Sequence, residues 1–293
     1  MANISSAFEI LRPHLRDLGG GFTVRRVLPA FSHQTVGPFI FFDHFGPIDL
    51  APGEGVDVRP HPHIGLATVT YLFDGALMHR DSFGSVQRIT PGDVNWMMAG
   101  RGIVHSERSA PEDRANGIRM HGLQTWVALP LDLEDAAPSF THTPSATLPR
   151  IELDGARVVV VAGHAFGRRA PTPVTSDTLY AAVDLDAGAT LQVPDQHDER
   201  AVYAVAGTID IDGMPLPESH MAVLTSGRPA SVTARSAATV MLVGGAKPGG
   251  ERFIWWNFVA SSRERIEDAK AKWRAQQYGA VPGDDEFIPL PER

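Results

Sequence analysis

Arg59-Pro60-His61-Pro62-His63 and Gly102-Ile103-Val104-His105-Ser106-Glu107 are the two stretches on which the interpretation of this chain depends. Each stretch places two metal-ligating side chains at positions i and i+2. Successive side chains of a β-strand point to opposite faces, so such a pair points the same way. The pattern therefore predicts two strands that direct three imidazoles and one carboxylate into one space.

The rest of the sequence has the punctuation of an all-β protein. The chain has 28 Gly and 23 Pro among 293 residues, about one residue in six, against roughly 12% on average. These residues are dispersed between short apolar runs, such as 39–47, 68–73 and 120–129, that are rich in β-branched and aromatic side chains. We therefore predict a barrel or sandwich of short strands.

A change of composition divides the chain. Between Pro130 and Pro149 the sequence becomes rich in Pro, Ser, Thr and acidic residues, as linkers are. We predict an N-terminal domain at 1–135, a linker at 136–150 and a C-terminal domain at 151–293.

The C-terminal half has the spacing of a repeat. Aligning Gly207 with Gly75 matches Tyr203 with Tyr71. In that alignment Val193 and Asp195 stand at the positions of the two histidines in the first stretch. The second half is therefore predicted to repeat the first without its metal ligands.

One helix is predicted near the C-terminus. Ser261 is the expected N-cap and Glu264 completes a capping box. The tail at 279–293 is Pro-rich and acidic, and we expect an extended strap or a partly disordered segment. The apolar face of the helix is predicted to consist of Ile266, Ala269, Ala271 and Trp273.

Bulk properties exclude several classes of function. The formal charge of −8 and the pI of about 5.8 argue against a nucleic-acid partner, which needs a basic face. The absence of Cys excludes disulfides and thiolate zinc sites. No apolar run approaches the roughly 20 residues of a membrane span, and residues 1–26 contain no secretory leader pattern. We expect a cytoplasmic monomer with no membrane partner.

The two histidine stretches have a competing interpretation, a buried polar cluster held by His–Glu hydrogen bonds. Pro62 favours the metal site, because proline cannot donate to a sheet ladder and suits a strand start or sheet edge. Imidazole binds Zn, Cu, Fe and Ni, and a carboxylate adds affinity for Fe(II) or Mn(II). A closed tetrahedral cage would make a structural zinc site, whereas ligands from one side leave the open positions that non-haem iron chemistry requires.

These motifs resemble those of the pirins. The resemblance is carried by His61-Pro62-His63-Ile64-Gly65, residues 68–72, Pro91-Gly92-Asp93, Trp96-Met97 and residues 99–107, and it extends over essentially the whole chain. It implies an all-β fold of two tandem cupin barrels, each a double-stranded β-helix or jelly roll, with a C-terminal helix.

The resemblance also implies a ligand set. His61, His63, His105 and Glu107 would bind one divalent metal per chain in the N-terminal barrel, and the C-terminal barrel would be empty. We expect Fe(II), with Zn, Mn, Ni or Cu as alternatives. Many pirins have Glu where this chain has Ala67, so Glu107 would be the only carboxylate ligand.

Two functions remain open from the resemblance. Some bacterial pirins are described as quercetin 2,3-dioxygenases, which predicts a small flavonol-like aromatic substrate such as quercetin, O2 as co-substrate, and Glu107 as the catalytic base. Other pirins act as transcriptional cofactors or bind metabolic enzymes. The alternative is therefore a non-catalytic, redox-sensing metal protein that binds a protein partner.

Further residues are candidates for supporting roles. His79 and His121 are interpreted as ordinary barrel residues, and His197 as part of a solvated loop. Candidates for orienting the metal ligands are Asp43, His44, Arg101 and Gln124. Candidates for an apolar substrate pocket are Phe45, Trp96, Met97 and Met98.

Overall fold

The computed structural model describes residues 8–17 and 22–292. It contains two compact units: unit 1 comprises 1–16, 25–43 and 146–247, and unit 2 comprises 17–24, 44–145 and 248–293. The expectation about a leader at 1–26 rests partly on residues 1–7 and 18–21, which lie outside the described residues.

Strands dominate both units, as predicted. In the first half of the chain they are β1 Phe8–Leu11, β2 His14–Asp17, β3 Thr23–Leu28, β4 Phe39–Leu50, β5 Asp57–His63, β6 Leu66–Asp74, β7 Leu77–Asp81, β8 Val86–Ile89, β9 Val94–Met98, β10 Ile103–Arg108, β11 Ile118–Ala128 and β12 Ser139–Thr143. In the second half they are β13 Arg150–Leu153, β14 Ala156–Ala165, β15 Arg168–Arg169, β16 Thr178–Leu185, β17 Thr190–Val193, β18 Glu199–Ala206, β19 Ile209–Ile211, β20 Met214–Leu216, β21 Met221–Leu224, β22 Ala230–Ala234, β23 Ala238–Gly245, β24 Phe253–Trp255 and β25 Phe258–Ala260.

The sheets repeat one topology. A four-stranded sheet in unit 2 has the order β5-β10-β7-β8, and a four-stranded sheet in unit 1 has the equivalent order β17-β22-β19-β20. A larger sheet accompanies each, with the order β12-β9-β6-β11-β4-β3-β2 in one case and β1-β21-β18-β23-β16-β14-β13 in the other. Strands β2, β3 and β4 are divided between the units at Arg16, Val24 and Asp43. The predicted pair of all-β barrels is confirmed.

In unit 1, β17 and β22, the strands equivalent to β5 and β10, carry no metal-ligating side chains at their buried positions. Strand β17 buries Leu191 and Val193, and its partner β22 buries Val232 and Ala234. These alternate residues are all apolar. The strand ends at Val193, so Asp195 lies beyond it on the exposed surface.

The C-terminal segment, 248–293, belongs to the compact unit that contains both histidine stretches. The reason is burial of the apolar face of α2 (Arg263–Arg274). That face packs on residues that flank the two stretches, including Ile64 and Val104. The shared cluster consists of Ile64, Val104, Phe258, Ala260, Ile266, Ala269, Trp273 and Val281.

Details of the helix correct the sequence-based prediction. Its N-cap is Ser262, whose side chain accepts from the Arg265 backbone N–H, so the expected cap at Ser261 and box with Glu264 are wrong by one position. Ala271 is exposed and does not belong to the apolar face. A second, short helix, α1, spans Pro111–Asn116.

The last segment is an extended strap. The backbone N–H of Ile288 donates to the carbonyl of Pro60 in β5, and Trp273 Nε1 donates to the Ile288 carbonyl at 3.0 Å. Arg108 holds Asp284 through two hydrogen bonds of 2.8 Å. Of the two predicted alternatives, the strap is the one found for the described part of the tail.

A glycine permits the chain to pass closely at the end of β5. Gly65 has φ +68, and a Cβ atom there would lie 2.0 Å from the carbonyl oxygen of Val259. Only a residue without a side chain fits that approach. Next to it, the Val259 backbone N–H donates to the Ile64 carbonyl, which ties β25 to the end of β5.

Among the described residues, no helix has the length and apolar character needed to cross a membrane.

Candidate metal centre

The two histidine stretches form neighbouring strands of one sheet. Strand β5 is the edge strand and pairs with β10, as the proline content predicted. The register sets His61 opposite His105 and His63 opposite Ile103. A bulge follows, because the next pair is Glu107 with Val58. The extra residue is on the β5 side, so His105 and Glu107 keep the alternation that places them on one face.

Three imidazoles converge. One nitrogen from each of His61, His63 and His105 lies within 4.8 Å of the others. Nε2 of His63 and Nε2 of His105 are 3.1 Å apart. All three residues are buried, with exposed fractions of 7%, 1% and 1%.

Backbone carbonyls fix the orientation of two of these rings. Nδ1 of His61 lies 2.8 Å from the Arg59 carbonyl oxygen, and Nδ1 of His63 lies 3.2 Å from that of Asn257. A carbonyl oxygen can only accept, so both histidines carry their proton on Nδ1. Nε2 of each ring therefore offers a lone pair, which is the usual arrangement of a metal-ligating histidine.

A buried relay orients the third ring. Nε2 of His79 donates to Asp81 Oδ2 over 3.2 Å, and in the neutral ring this leaves Nδ1 of His79 as an acceptor. Nδ1 of His105 lies 3.4 Å from that nitrogen and is its donor. Nε2 of His105 therefore also carries a lone pair. Two such lone pairs 3.1 Å apart, on His63 and His105, repel unless a cation lies between them.

Burial keeps these rings neutral. Removal from water lowers the pKa of His61 to about 4, and lowers the pKa of His63 and His105 well below 6.5. The neutral imidazole is the form that binds metal. The three side chains are thus available as ligands at neutral pH.

Glu107 lies beside His105 in a second group of ligand atoms. Its carboxylate lies within 4.8 Å of ring nitrogens of His79 and His105, and this second group shares His105 with the first. Burial raises the pKa of the Glu107 carboxyl. The Thr70 hydroxyl donates to Oε1 of Glu107 over 2.9 Å and also lies 2.8 Å from the Gln124 side-chain amide.

Most of the other predicted residues lie elsewhere. Of the candidates for orienting ligands, Gln124 reaches Glu107 through Thr70, but Asp43 pairs with Arg26 at 2.8 Å and His44 pairs with His121 at 2.7 Å. Arg101 is exposed. Ala67, at the position where many pirins have Glu, is fully buried.

The predicted apolar pocket is mostly core. Phe45 and Met97 pack in separate hydrophobic clusters, and Trp96 is 1% exposed. Met98 is half-buried. The aromatic ring that does adjoin the histidines is Trp126, whose centroid is 5.2 Å from that of His63.

The sequence interpretation missed four contributors: Thr70, His79, Asp81 and the Asn257 carbonyl. A signal for two of them was present, since His79 and Asp81 form another i, i+2 pair, on β7. The register sets His79 opposite Glu107 and Asp81 opposite His105. The Asn257 contact had no local signal, because it depends on how the C-terminal segment folds back.

The arrangement is suited to a divalent metal. Three neutral imidazoles with converging lone pairs, and a carboxylate next to one of them, are ligands for first-row transition metals. The site can also accept and release protons, because the Glu107 carboxyl is buried and its pKa is raised.

Comparison with known proteins gives consistent matches over both halves. The family model described as Pirin matches residues 21–127, and the model described as Pirin C-terminal cupin domain matches residues 180–279. A pirin-like protein of Caulobacter vibrioides is 50% identical over 281 residues, which cover 94% of this chain and 96% of that protein.

Two further relatives carry an enzyme name. A Pseudomonas aeruginosa protein provisionally named as a quercetin 2,3-dioxygenase is 40% identical over 259 residues, 88% of this chain and 80% of its own length. The crystal structure of a quercetin 2,3-dioxygenase from Acinetobacter baumannii is similar with a TM-score of 0.90 and 30% identity, covering 98% of this chain and 96% of that one.

Proposed function

This chain belongs to the pirin family, and on that premise we propose that unit 2 binds one divalent metal ion and uses it in the oxidative cleavage of a flavonol-like aromatic compound by O2. The proposed ligands are His61, His63, His105 and Glu107. The observation that carries the proposal is the convergence of three buried imidazoles.

The residues fit a metal ion on electrostatic grounds. His63 and His105 present Nε2 lone pairs to one another at 3.1 Å, and His61 presents a third to the same space. A bound cation would replace this repulsion by attraction. Iron(II) is the proposed metal, because a mixed imidazole and carboxylate set with open positions suits it. Bound there, it would supply the redox chemistry that joins an enolate-like substrate and dioxygen.

Glu107 is the proposed catalytic base. A carboxyl whose pKa is raised by burial takes up a proton more readily than an exposed one, as removal of a proton from a substrate hydroxyl requires. The Thr70 hydroxyl would hold the carboxylate in place through its 2.9 Å hydrogen bond. Trp126, edge-on to His63, would give the aromatic substrate a flat neighbour.

The names of the relatives support the substrate class. Both the Pseudomonas aeruginosa relative and the Acinetobacter baumannii structure bear the name quercetin 2,3-dioxygenase. We therefore take quercetin as the first substrate to test.

The test is aerobic turnover of quercetin by protein loaded with Fe(II), followed by loss of the flavonol absorbance and by oxygen uptake. We expect turnover in the unmodified protein and in a His220→Ala control, which changes a half-buried histidine of unit 1. We expect turnover to be lost in His63→Ala. Elemental analysis of protein purified without chelators identifies the resident metal.

A different result would redirect the proposal. If the metal-loaded protein turns over no flavonol, while the same protein captures a partner in a metal-dependent pull-down, the dioxygenase function is wrong and the regulatory alternative replaces it.

A further inference from the structure

A second cluster of metal-ligating side chains lies in unit 1. One ligand atom from each of His164, Asp177 and His197 lies within 4.8 Å of the others. His164 is near the end of β14, Asp177 directly precedes β16, and His197 is in the loop between β17 and β18. Gly163 allows the close approach, since its φ is +73 and a Cβ there would lie 1.8 Å from the Thr178 carbonyl oxygen.

One carboxylate faces both rings. Oδ1 of Asp177 is 2.9 Å from Nε2 of His164, and Oδ2 is 2.8 Å from Nδ1 of His197. The His197 side chain is completely buried, whereas those of His164 and Asp177 are 29% and 36% exposed. His197 is therefore a fixed anchor, and the cluster is open to solvent on the side of the other two residues.

The orientation of His197 is that of a metal ligand. Its Nε2 lies 3.0 Å from the backbone carbonyl oxygen of His164, and because a carbonyl only accepts, Nε2–H is the donor. A histidine that donates one ring N–H to a backbone carbonyl and turns the other nitrogen toward the ion is the common arrangement at metal sites. Here the other nitrogen lies 2.8 Å from a carboxylate oxygen, a contact that either a second ring proton makes directly or a metal ion makes in place of that proton.

We propose that His164, Asp177 and His197 form a second site for a first-row divalent metal such as Zn²⁺. Two imidazoles and one carboxylate would hold the ion, and water would fill the position left open toward solvent. Ligand atoms about 2.1 Å from a tetrahedral ion are about 3.4 Å apart, so the two contacts need to open by only about 0.5 Å. This site goes beyond the proposed function, which concerns unit 2.

The test uses Co²⁺ as a spectroscopic probe in a chain that carries His61→Ala and His105→Ala, which removes two of the three converging imidazoles of unit 2 and one member of its second group. We expect one Co²⁺ per chain with a visible d–d absorption. Adding His164→Ala should weaken binding by more than the 10–100-fold typical of losing an outer-shell partner. Adding His220→Ala, the matched control in the same unit, should leave the affinity unchanged.

Two results would overturn the inference: no saturable Co²⁺ binding in the His61→Ala/His105→Ala chain, or binding that neither His164→Ala nor Asp177→Asn weakens. If circular dichroism shows that this background is unfolded, Zn²⁺ bound to the unmodified chain is counted by equilibrium dialysis. The count should fall by one with His164→Ala, from two to one, or from one to zero if unit 2 binds no metal. An unchanged count contradicts the site.

Discussion

Nδ1 of His63 donates a hydrogen bond to the backbone carbonyl of Asn257, a residue 194 positions later in the chain. The ring of a proposed metal ligand is thus oriented by the segment that leads into the C-terminal helix. That segment is held in place by burial of α2 against Ile64 and Val104. The stability of the helix packing and the affinity for metal should therefore be coupled.

Trp273→Ala tests this coupling. Trp273 is 4% exposed and packs in the shared cluster of unit 2. Its truncation should lower the free energy of unfolding by about 3–5 kcal/mol and should also weaken metal binding. Denaturant titrations that follow metal release measure both effects. Ile254→Ala, at a 36% exposed position, is the control and should change stability by no more than about 0.5 kcal/mol. Unchanged metal affinity in Trp273→Ala would show that α2 does not influence the site.

His79→Phe tests the relay behind His105. Phenylalanine keeps a flat ring on Phe140, whose centroid is 4.2 Å from that of His79, but it removes the nitrogen that accepts from His105. Loss of such a partner typically costs 10–100-fold in metal affinity, which is the expected effect. Competition with a chelator gives the affinity. His79→Gln, which retains an acceptor, should be less impaired, and equal affinities in the two variants would argue against the relay.

Thr70→Val tests the support of Glu107. The hydroxyl has one proton to donate, so when it bonds to Glu107 the Gln124 amide must present its NH2 group to the hydroxyl oxygen. Valine removes the donor without a large change in volume, and we expect kcat for the proposed substrate to fall by about tenfold with its KM less affected. Thr70→Ser should restore the rate. A valine variant as fast as the serine variant would remove Thr70 from the site.

The sequence was sufficient for the local features and insufficient for those that depend on distant contacts. Alternation along β5 and β10 correctly placed His61, His63 and His105 around one space, because a strand fixes the direction of each side chain. His79 was judged an ordinary barrel residue because its role arises only when β7 pairs with β10. His197 was expected in a solvated loop, yet it is buried against Asp177, which precedes a different strand.

The packing partner of the C-terminal helix also depends on distant contacts. The helix after Ser262 has a clear apolar face, but the face itself does not say which barrel will cover it. At Gly65 a Cβ atom would lie 2.0 Å from the Val259 carbonyl oxygen, so the glycine there permits β25 to approach the end of β5.

Acid should destabilise the metal-free protein through its buried histidines. The pKa of His61 is about 4 in the folded chain, lowered by burial from its ordinary value of 6.5. The unfolded chain therefore binds this proton first as the pH falls, and the contribution of His61, fully present above pH 6.5, is lost by about pH 4. The expected loss is on the order of 3 kcal/mol. Urea titrations from pH 7.5 to 4.5 should show a shallower dependence in His61→Gln, which cannot be protonated. Parallel curves for the two proteins would contradict this assignment.

Asp284→Asn tests the strap across β5. Burial by itself would raise the pKa of Asp284, but hydrogen bonds from Arg108 hold it below its ordinary value. Asp284 therefore stabilises the folded chain above about pH 4, and that contribution is lost as the pH falls through its lowered pKa. Near neutral pH, replacing the carboxylate should remove roughly 1.5–3 kcal/mol of charged hydrogen bonding. The loosened strap should then expose the Ile288 amide, which donates to Pro60 over 2.8 Å. Hydrogen exchange at Ile288 should become at least tenfold faster in Asp284→Asn.

Glu286→Gln is the control, because Glu286 is 60% exposed and its 3.2 Å contact with Arg108 is weaker. Equal exchange rates in the two variants would mean that the Arg108–Asp284 pair does not secure the strap beside His61.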